Sequence, residues 1–472
     1  MATNWLGLLS IVVFYIIILA IGIWASRKSK LEEKKCTGNR SEVAMVGGRN
    51  LNIWVSICTT TATWVGGGYI LGTAEMVYNP KRGLIWATGP LAYIINFIVG
   101  ALFFVEPVRS KNYVTLMDPF QEKYGNAVAA VIFIPSLMSD ILWMACILGG
   151  LVTKLYQEPW IGSLELEEAG RWVDEVLLMA IGGISYTSFY QRILSTSTDA
   201  QAKITCYAGA VLCPILAIPS LVIGAVAAST NWNETSFGSP SPYEQGKAGM
   251  ILPIALHHLC PFYISLFGMG ALAASVMSSV DSGLLCSASL LGRNIFKNII
   301  YKKASEKMIL VAVKGSVLLC GIMGAGLAMT ADSLHHFWIL SGDVCYSMLT
   351  PQVICIFYLT RRVNRYGACA GVLLALLLRT LVGEPILGLP DILPLPWDKT
   401  VDGQRYRLFP FRTGIMLVTT ATILGVSCFA QWLSEKGLLR KTSDAETDTH
   451  MTYTKPGPMD VEEKETSLIL ST

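Results

Sequence analysis

The segment Thr61-Ala62-Thr63-Trp64-Val65-Gly66-Gly67-Gly68-Tyr69 sets three consecutive glycines behind a tryptophan, deep inside a long apolar stretch. Glycine costs a helix about 1 kcal/mol relative to alanine, so a run of three favours an opening. Opened backbone survives in a bilayer only where protein buries it or where it lines a watery cavity. Transporters use such breaks to offer carbonyls to a small cation beside the substrate, and the adjoining tryptophan bears on what kind of substrate that is. A second candidate opening is Met179-Ala180-Ile181-Gly182-Gly183-Ile184-Ser185-Tyr186, with paired glycines ahead of an aromatic. A third element supplies hydroxyls: Ser275, Ser278, Ser279 and Ser282 share one helical face by their three-and-four spacing, beside Asp281. A carboxylate within a membrane helix is costly and points to a functional site.

The elements that must position these groups are membrane helices. The chain of 472 residues is 53% hydrophobic and 15% charged, with a mean hydropathy of +0.50. Apolar segments fall at 6–25, 50–75, 84–104, 128–153, 174–191, 204–228, 251–288, 308–330, 334–360, 366–383 and 413–433. A helix needs about 20 such residues to cross a bilayer. The first segment is too long for a signal-peptide core and reads as a retained helix. With the N-terminus outside, the inner loops and tail hold 25 Lys and Arg and the outer loops 9, which satisfies the positive-inside rule. Asn233-Glu234-Thr235 then lies outside as a glycosylation acceptor at Asn233. Residues 1–433 form the transmembrane domain, and the charged stretch 434–472 reads as a disordered cytoplasmic tail.

Several function classes fall away. The basic residues flank spans and build no nucleic-acid face. The chain has 12 cysteines, but no Cys-x-x-Cys pair, and those within apolar segments read as small buried hydrophobes. No nucleophile–base pair or metal-ligand spacing suggests an enzyme or a resident cofactor.

The stretches TATWVGGGYI and GTAE, PVRSKNYVT and DPF, STNWNETSFG, CPFYISLFGMGALAASVMSSVDS, FWILSGDVCY and LRTLVGEP carry a resemblance. The chain resembles the sodium:solute symporter family, and within it the choline-carrying members. The resemblance implies an all-α integral membrane protein with the inverted-repeat (5+5, LeuT-like) sodium-symporter fold, one helix before the repeats and two after. It implies sodium-coupled, chloride-dependent import of choline for acetylcholine synthesis, at the plasma membrane of presynaptic terminals and in synaptic vesicles, and allows a homo-oligomer. The choline cage maps onto Trp64, Tyr93, Trp143, Tyr186 and Trp338. A quaternary ammonium donates no hydrogen bond and is held by such rings at about 0.5–2 kcal/mol each. The sodium ligands map onto the carbonyls of Ala62 and Val65, the hydroxyls of Ser278 and Ser279 and the backbone of Ser275, with Asp281 as the second-ion candidate.

Two departures stand out. Ser185-Tyr186-Thr187 replaces a family Pro-Trp-Gln, so a phenol stands where an indole is expected. After Thr153 the chain runs straight into Lys154-Leu155-Tyr156-Gln157-Glu158-Pro159-Trp160, which resembles the family's outer loop beyond two further spans. About 70 residues, core helices four and five of the first repeat, are missing by this comparison, which leaves about 11 spans. An even number lost preserves all downstream orientation. A splice form and an incomplete gene model both produce such a junction. Beside the symporter stands a second reading, a non-transporting or regulatory isoform lacking two core helices.

Overall fold

The computed structural model describes residues 51–436 apart from 112, 149–159, 330–333, 385–387 and 402–403, together with 13, 15–24, 45, 49 and 438. The described residues are overwhelmingly helical. In chain order the main helices are α1 (Tyr15–Trp24), α2 (Ile53–Trp64), α3 (Gly67–Tyr78), α4 (Leu84–Arg109) and α5 (Asn126–Leu148). After them come α6 (Ala169–Gly182), α7 (Thr187–Ser195), α8 (Asp199–Ala228), α9 (Ile251–Leu259) and α10 (Phe262–Ile300). The last are α11 (Glu306–Ala328), α12 (His335–Tyr358), α13 (Arg365–Val382) and α14 (Phe411–Glu435). A two-stranded antiparallel hairpin, β1 (Lys399–Val401) with β2 (Gln404–Tyr406), pairs Lys399 with Tyr406 between α13 and α14.

Among the described residues, 7 helices are long and apolar enough to cross a membrane. The expected spans that fall outside this set are α1, α5 and the two interrupted helices, α2–α3 and α6–α7, whose halves are each too short to qualify. The segment 251–288 is not one span. Cys260 and Pro261 take extended backbone and separate the short α9 from α10, because proline is placed where the preceding helix has ended. Proline inside α5 (Pro135) and α8 (Pro214, Pro219) is tolerated, as membrane helices allow when neighbours re-satisfy the freed carbonyls.

The main core lies where α2, α4, α5, α6, α7 and α12 meet, and includes Trp64, Tyr93, Phe97, Leu142, Leu178, Phe189, Phe337 and Trp338. The helix α12 is the hub: 94% of its apolar window is buried, against 11% for α10. The helix α10 is buried mainly along its C-terminal half, where Ser279, Ser282, Ser287, Asn294 and Asn298 face the body.

Candidate functional site

The first opening forms at the glycines. Helix α2 ends at Trp64, where the Val65 amide donates to the Thr61 carbonyl, and Gly66 is extended before α3 begins. The carbonyls at the opening are met by hydroxyls of α10. Ser275 Oγ donates to the Val65 carbonyl at 2.9 Å, Ser279 Oγ lies 3.2 Å from the Thr63 carbonyl, and Ser278 and Ser279 Oγ lie 3.4 and 3.3 Å from that of Ala62. Gly66 is required for this approach: a Cβ there would sit 1.9 Å from Ser279 Oγ. The expected ligand set Ala62, Val65, Ser275, Ser278 and Ser279 is thus assembled, with Ser275 engaged through its hydroxyl as well as placed by its backbone. Asp281 does not join it. Its side chain is exposed on α10, turned from the face that carries Ser279 and Ser282.

The second opening follows the paired glycines. Gly183–Ser185 make one tight turn, Tyr186 is extended, and α7 starts at Thr187. The buried Asn96 amide donates to the Ala180 carbonyl at 2.8 Å and satisfies an acceptor in the last turn of α6, just before the opening. The two openings face each other, with the Trp64 and Tyr186 ring centroids 5.8 Å apart and edge-on.

Four of the five expected aromatics form one buried cluster. Trp64 meets Tyr93 at 5.1 Å and Tyr93 meets Trp338 at 5.9 Å, all edge-to-face. The side chain of Trp143, on α5, lies outside the described residues. Three rings were not anticipated: Tyr69 stacks on Tyr93 at 4.9 Å, and Phe97 and Phe189 edge onto Trp64 at 5.3 and 6.5 Å. Tyr69 ends the first glycine motif, which was its available signal. The Tyr186 hydroxyl reaches Ser341 Oγ at 3.2 Å, a contact an indole would not make in the same way.

Polar groups missed in the sequence lie just beyond. Arg192 on α7 donates Nε–H to Thr63 Oγ1 at 3.0 Å and Nη2–H to Ser282 Oγ at 2.6 Å, so a guanidinium borders the serine face. Asp140 on α5 is buried and accepts from Thr187 and Ser287. A charged residue within the apolar segment 128–153 was the signal for it. Asn233 is exposed on the short turn Trp232–Glu234, as a glycosylation acceptor must be.

Comparison with known proteins agrees with this architecture. The model of the Sodium:solute symporter family matches residues 45–153 and 172–375. The chain is 36% identical to "High-affinity choline transporter 1" of Torpedo marmorata over 511 residues, covering 92% of this chain and 87% of that one. It is 36% identical to "High affinity choline transporter 1" of Homo sapiens over 504 residues, covering 92% and 86%. A solved structure, the substrate-bound outward-open state of a Na+-coupled sialic acid symporter, matches with a TM-score of 0.66 at 13% identity, covering 90% of this chain and 97% of that one. That match speaks for the fold alone. The 92% of this chain aligned to the Torpedo protein is about 434 residues, which leaves about 77 of the 511 aligned positions without a counterpart here. The family match itself breaks at 153 and resumes at 172, around the junction that the sequence singled out, which lies outside the described residues. This multi-pass, helical membrane protein belongs to the sodium:solute symporter family.

Proposed function

We propose that this protein imports choline across the plasma membrane in symport with sodium. The observation that carries the reading is the adjacency of two unlike sites at one helix break. Trp64, the centre of the aromatic cluster, sits between Thr63 and Val65, whose carbonyls are held by Ser279 and Ser275. A sodium ion bound by the carbonyls of Ala62 and Val65 and the hydroxyls of Ser278 and Ser279 would fix the backbone on both sides of that tryptophan. Sodium then orients the ring that receives the ammonium group, which is a direct physical route for coupling. The membrane potential adds about 2.3 kcal/mol per inward charge at 100 mV.

Choline fits the second site. An ammonium must lie within about 6 Å of each ring centroid that holds it, and Trp64 has Tyr93 and Tyr186 within that distance, with Trp338 next to Tyr93. In this conformation the rings touch one another, so the cage is closed and must part to admit a trimethylammonium group. The indole Nε1–H of Trp64 is buried with no acceptor among the described residues, and is a donor suited to choline's hydroxyl. Trp143 belongs to the cage by the resemblance. Chloride dependence, self-association, glycosylation at Asn233, presynaptic placement and a role in acetylcholine synthesis extend the same reading and rest on the resemblance.

One observation favours a second reading, a form that binds but does not transport: the gap of about 77 aligned positions. Uptake of labelled choline into cells expressing this chain, with surface protein quantified, decides between them. Saturable uptake abolished by sodium removal and by Trp64→Ala supports symport. Normal surface protein without uptake, but with choline binding lost in Trp64→Ala, supports the non-transporting form. Wild-type binding and uptake in Trp64→Ala would remove this cluster from substrate recognition.

A further inference from the structure

Asp140 is a buried carboxylate on a membrane helix whose visible partners are neutral. Thr187 Oγ1 donates within 2.8 Å of Oδ1 and 3.0 Å of Oδ2, and Ser287 Oγ lies 3.0 Å from Oδ2. Each hydroxyl has one proton. That of Ser287 is shared with a second acceptor, the Gly283 carbonyl at 3.1 Å. Among the described residues no lysine or arginine forms an ion pair with Asp140. The nearest guanidinium along α7, that of Arg192, spends its bonds on Thr63 and Ser282. Asp140 is only 4% exposed, and Thr187 and Ser287 are buried with it.

Such a charge cannot stand alone in a membrane protein, because neither lipid nor neutral hydroxyls replace its lost hydration. It must carry a proton or a cation. The arrangement favours a cation for two reasons. The oxygens that converge, two from Asp140, one from Thr187 and one from Ser287, all have lone pairs to offer a hard ion once their hydroxyl protons turn outward, and the Gly283 carbonyl can take the Ser287 proton. The place is also significant. Thr187 is the first residue of α7, directly after the extended Tyr186, and Ser287 lies on α10 eight residues beyond Ser279, about 12 Å along the helix.

We infer that Asp140, Thr187 and Ser287 form a second sodium site, which ties the second helix break to α10 as the Ser278–Ser279 site ties the first. The two ions would pin both openings to one helix from opposite ends of its serine face, so α10 cannot shift until both have left. The inference shares with the proposed function only the identity of the ion.

The test is the sodium-dependent rise in Tm of the purified full chain in detergent, with sodium replaced by N-methyl-D-glucamine at constant chloride. A ligand that binds only the folded form raises Tm as its concentration exceeds Kd. The variants are Asp140→Asn, Ser287→Ala and, for the first site, Ser279→Ala. Asparagine imitates a protonated aspartate in shape and charge, so the comparison separates sodium from a proton. We expect Asp140→Asn to weaken half-saturation about tenfold and flatten a Hill slope of about two towards one. Ser287→Ala, which leaves the carboxylate, is expected to weaken it a few-fold and keeps the test open if Asp140→Asn does not fold. Sodium titrations of Asp140→Asn and Ser287→Ala that superimpose on wild type would overturn the inference, leaving Asp140 as a protonated hydrogen-bonding group. If Ser279→Ala alone loses the response, the first site stands and this one falls. If the wild-type chain shows no sodium response, both fall.

Discussion

Asp343 and Asp140 are both buried carboxylates on membrane helices, and the protein treats them in opposite ways. Asp343, on α12, is met by two guanidiniums: Arg379 Nε from α13 at 2.6 Å and Arg412 Nε from α14 at 3.5 Å. Arg379 also donates to Glu384 at 2.5 Å and Arg412 pairs with Asp174 of α6 at 3.6 Å, so four elements are tied through one network. Asp140, on α5, has only hydroxyls. Paired permanent charges make a joint that holds helices together in every state. A carboxylate left to hydroxyls is suited to a charge that arrives and leaves. The difference separates scaffold from working part within a single fold.

The largest effect tests the scaffold side. Asp343→Ala leaves Arg379 and Arg412 buried without their shared partner, and breaking such a pair costs about 3–5 kcal/mol. The expected result is a fall in Tm or yield of the purified protein that is equal with and without sodium. A sodium-dependent deficit would move Asp343 to the working side and dissolve the contrast.

Next in size is Gly66→Ala. The added Cβ, 1.9 Å from Ser279 Oγ, must push α2 from α10, and overpacking of this kind costs about 1–3 kcal/mol. Because the displaced side chain, Ser279, is the one that meets the Ala62 and Thr63 carbonyls, the sodium response should weaken by at least about tenfold, whereas the Asp343 network stays intact. A sodium titration like that of wild type would show that the close contact at Gly66 does not govern ion binding.

How much of this was legible in the sequence follows from range of interaction. The openings at Gly66 and Gly183 were readable because glycine acts locally on its own helix. The serine face of α10 was readable because Ser275, Ser278 and Ser279 repeat within one helix. The separation of α9 from α10 was not: Pro261 was the local sign, but the apolar run on both sides concealed it. Asp281 was singled out and Asp140 missed for one reason. A carboxylate's importance depends on which way its helix is turned, and only packing fixes that rotation: α10 turns Asp281 outward, while α5, enclosed by α10, α11 and α12, turns Asp140 inward. Arg379 is legible only as an odd charge in an apolar segment until Asp343 is placed beside it.

Asp140→Asn sharpens the contrast with a smaller effect of opposite sign. Without sodium, wild type must take up a proton at Asp140 or hold a charge that hydroxyls alone do not compensate, and the neutral isostere removes that burden. Its Tm in N-methyl-D-glucamine should therefore equal or exceed that of wild type, while Asp343→Asn under the same conditions should fall below it. If both variants fall equally, Asp140 belongs to the scaffold.

The smallest effect asks whether the two regions are independent. A chain of hydroxyls runs between them: Tyr186 reaches Ser341, two residues before Asp343, and Ser341 meets Ser139, the neighbour of Asp140, at 3.2 Å. Tyr186→Phe cuts this chain at its aromatic end and keeps the ring that packs on Trp64. A single hydrogen bond of this kind is worth about 0.5–1.5 kcal/mol net, so the apparent affinity for choline should change by no more than about tenfold and the sodium response hardly at all. Combined with Asp140→Asn, the effects add to within about 0.5 kcal/mol if the hydroxyl chain carries no coupling. A double variant that departs from the sum would show that the phenol, standing where the family carries an indole, transmits the occupancy of the Asp140 site to the cage.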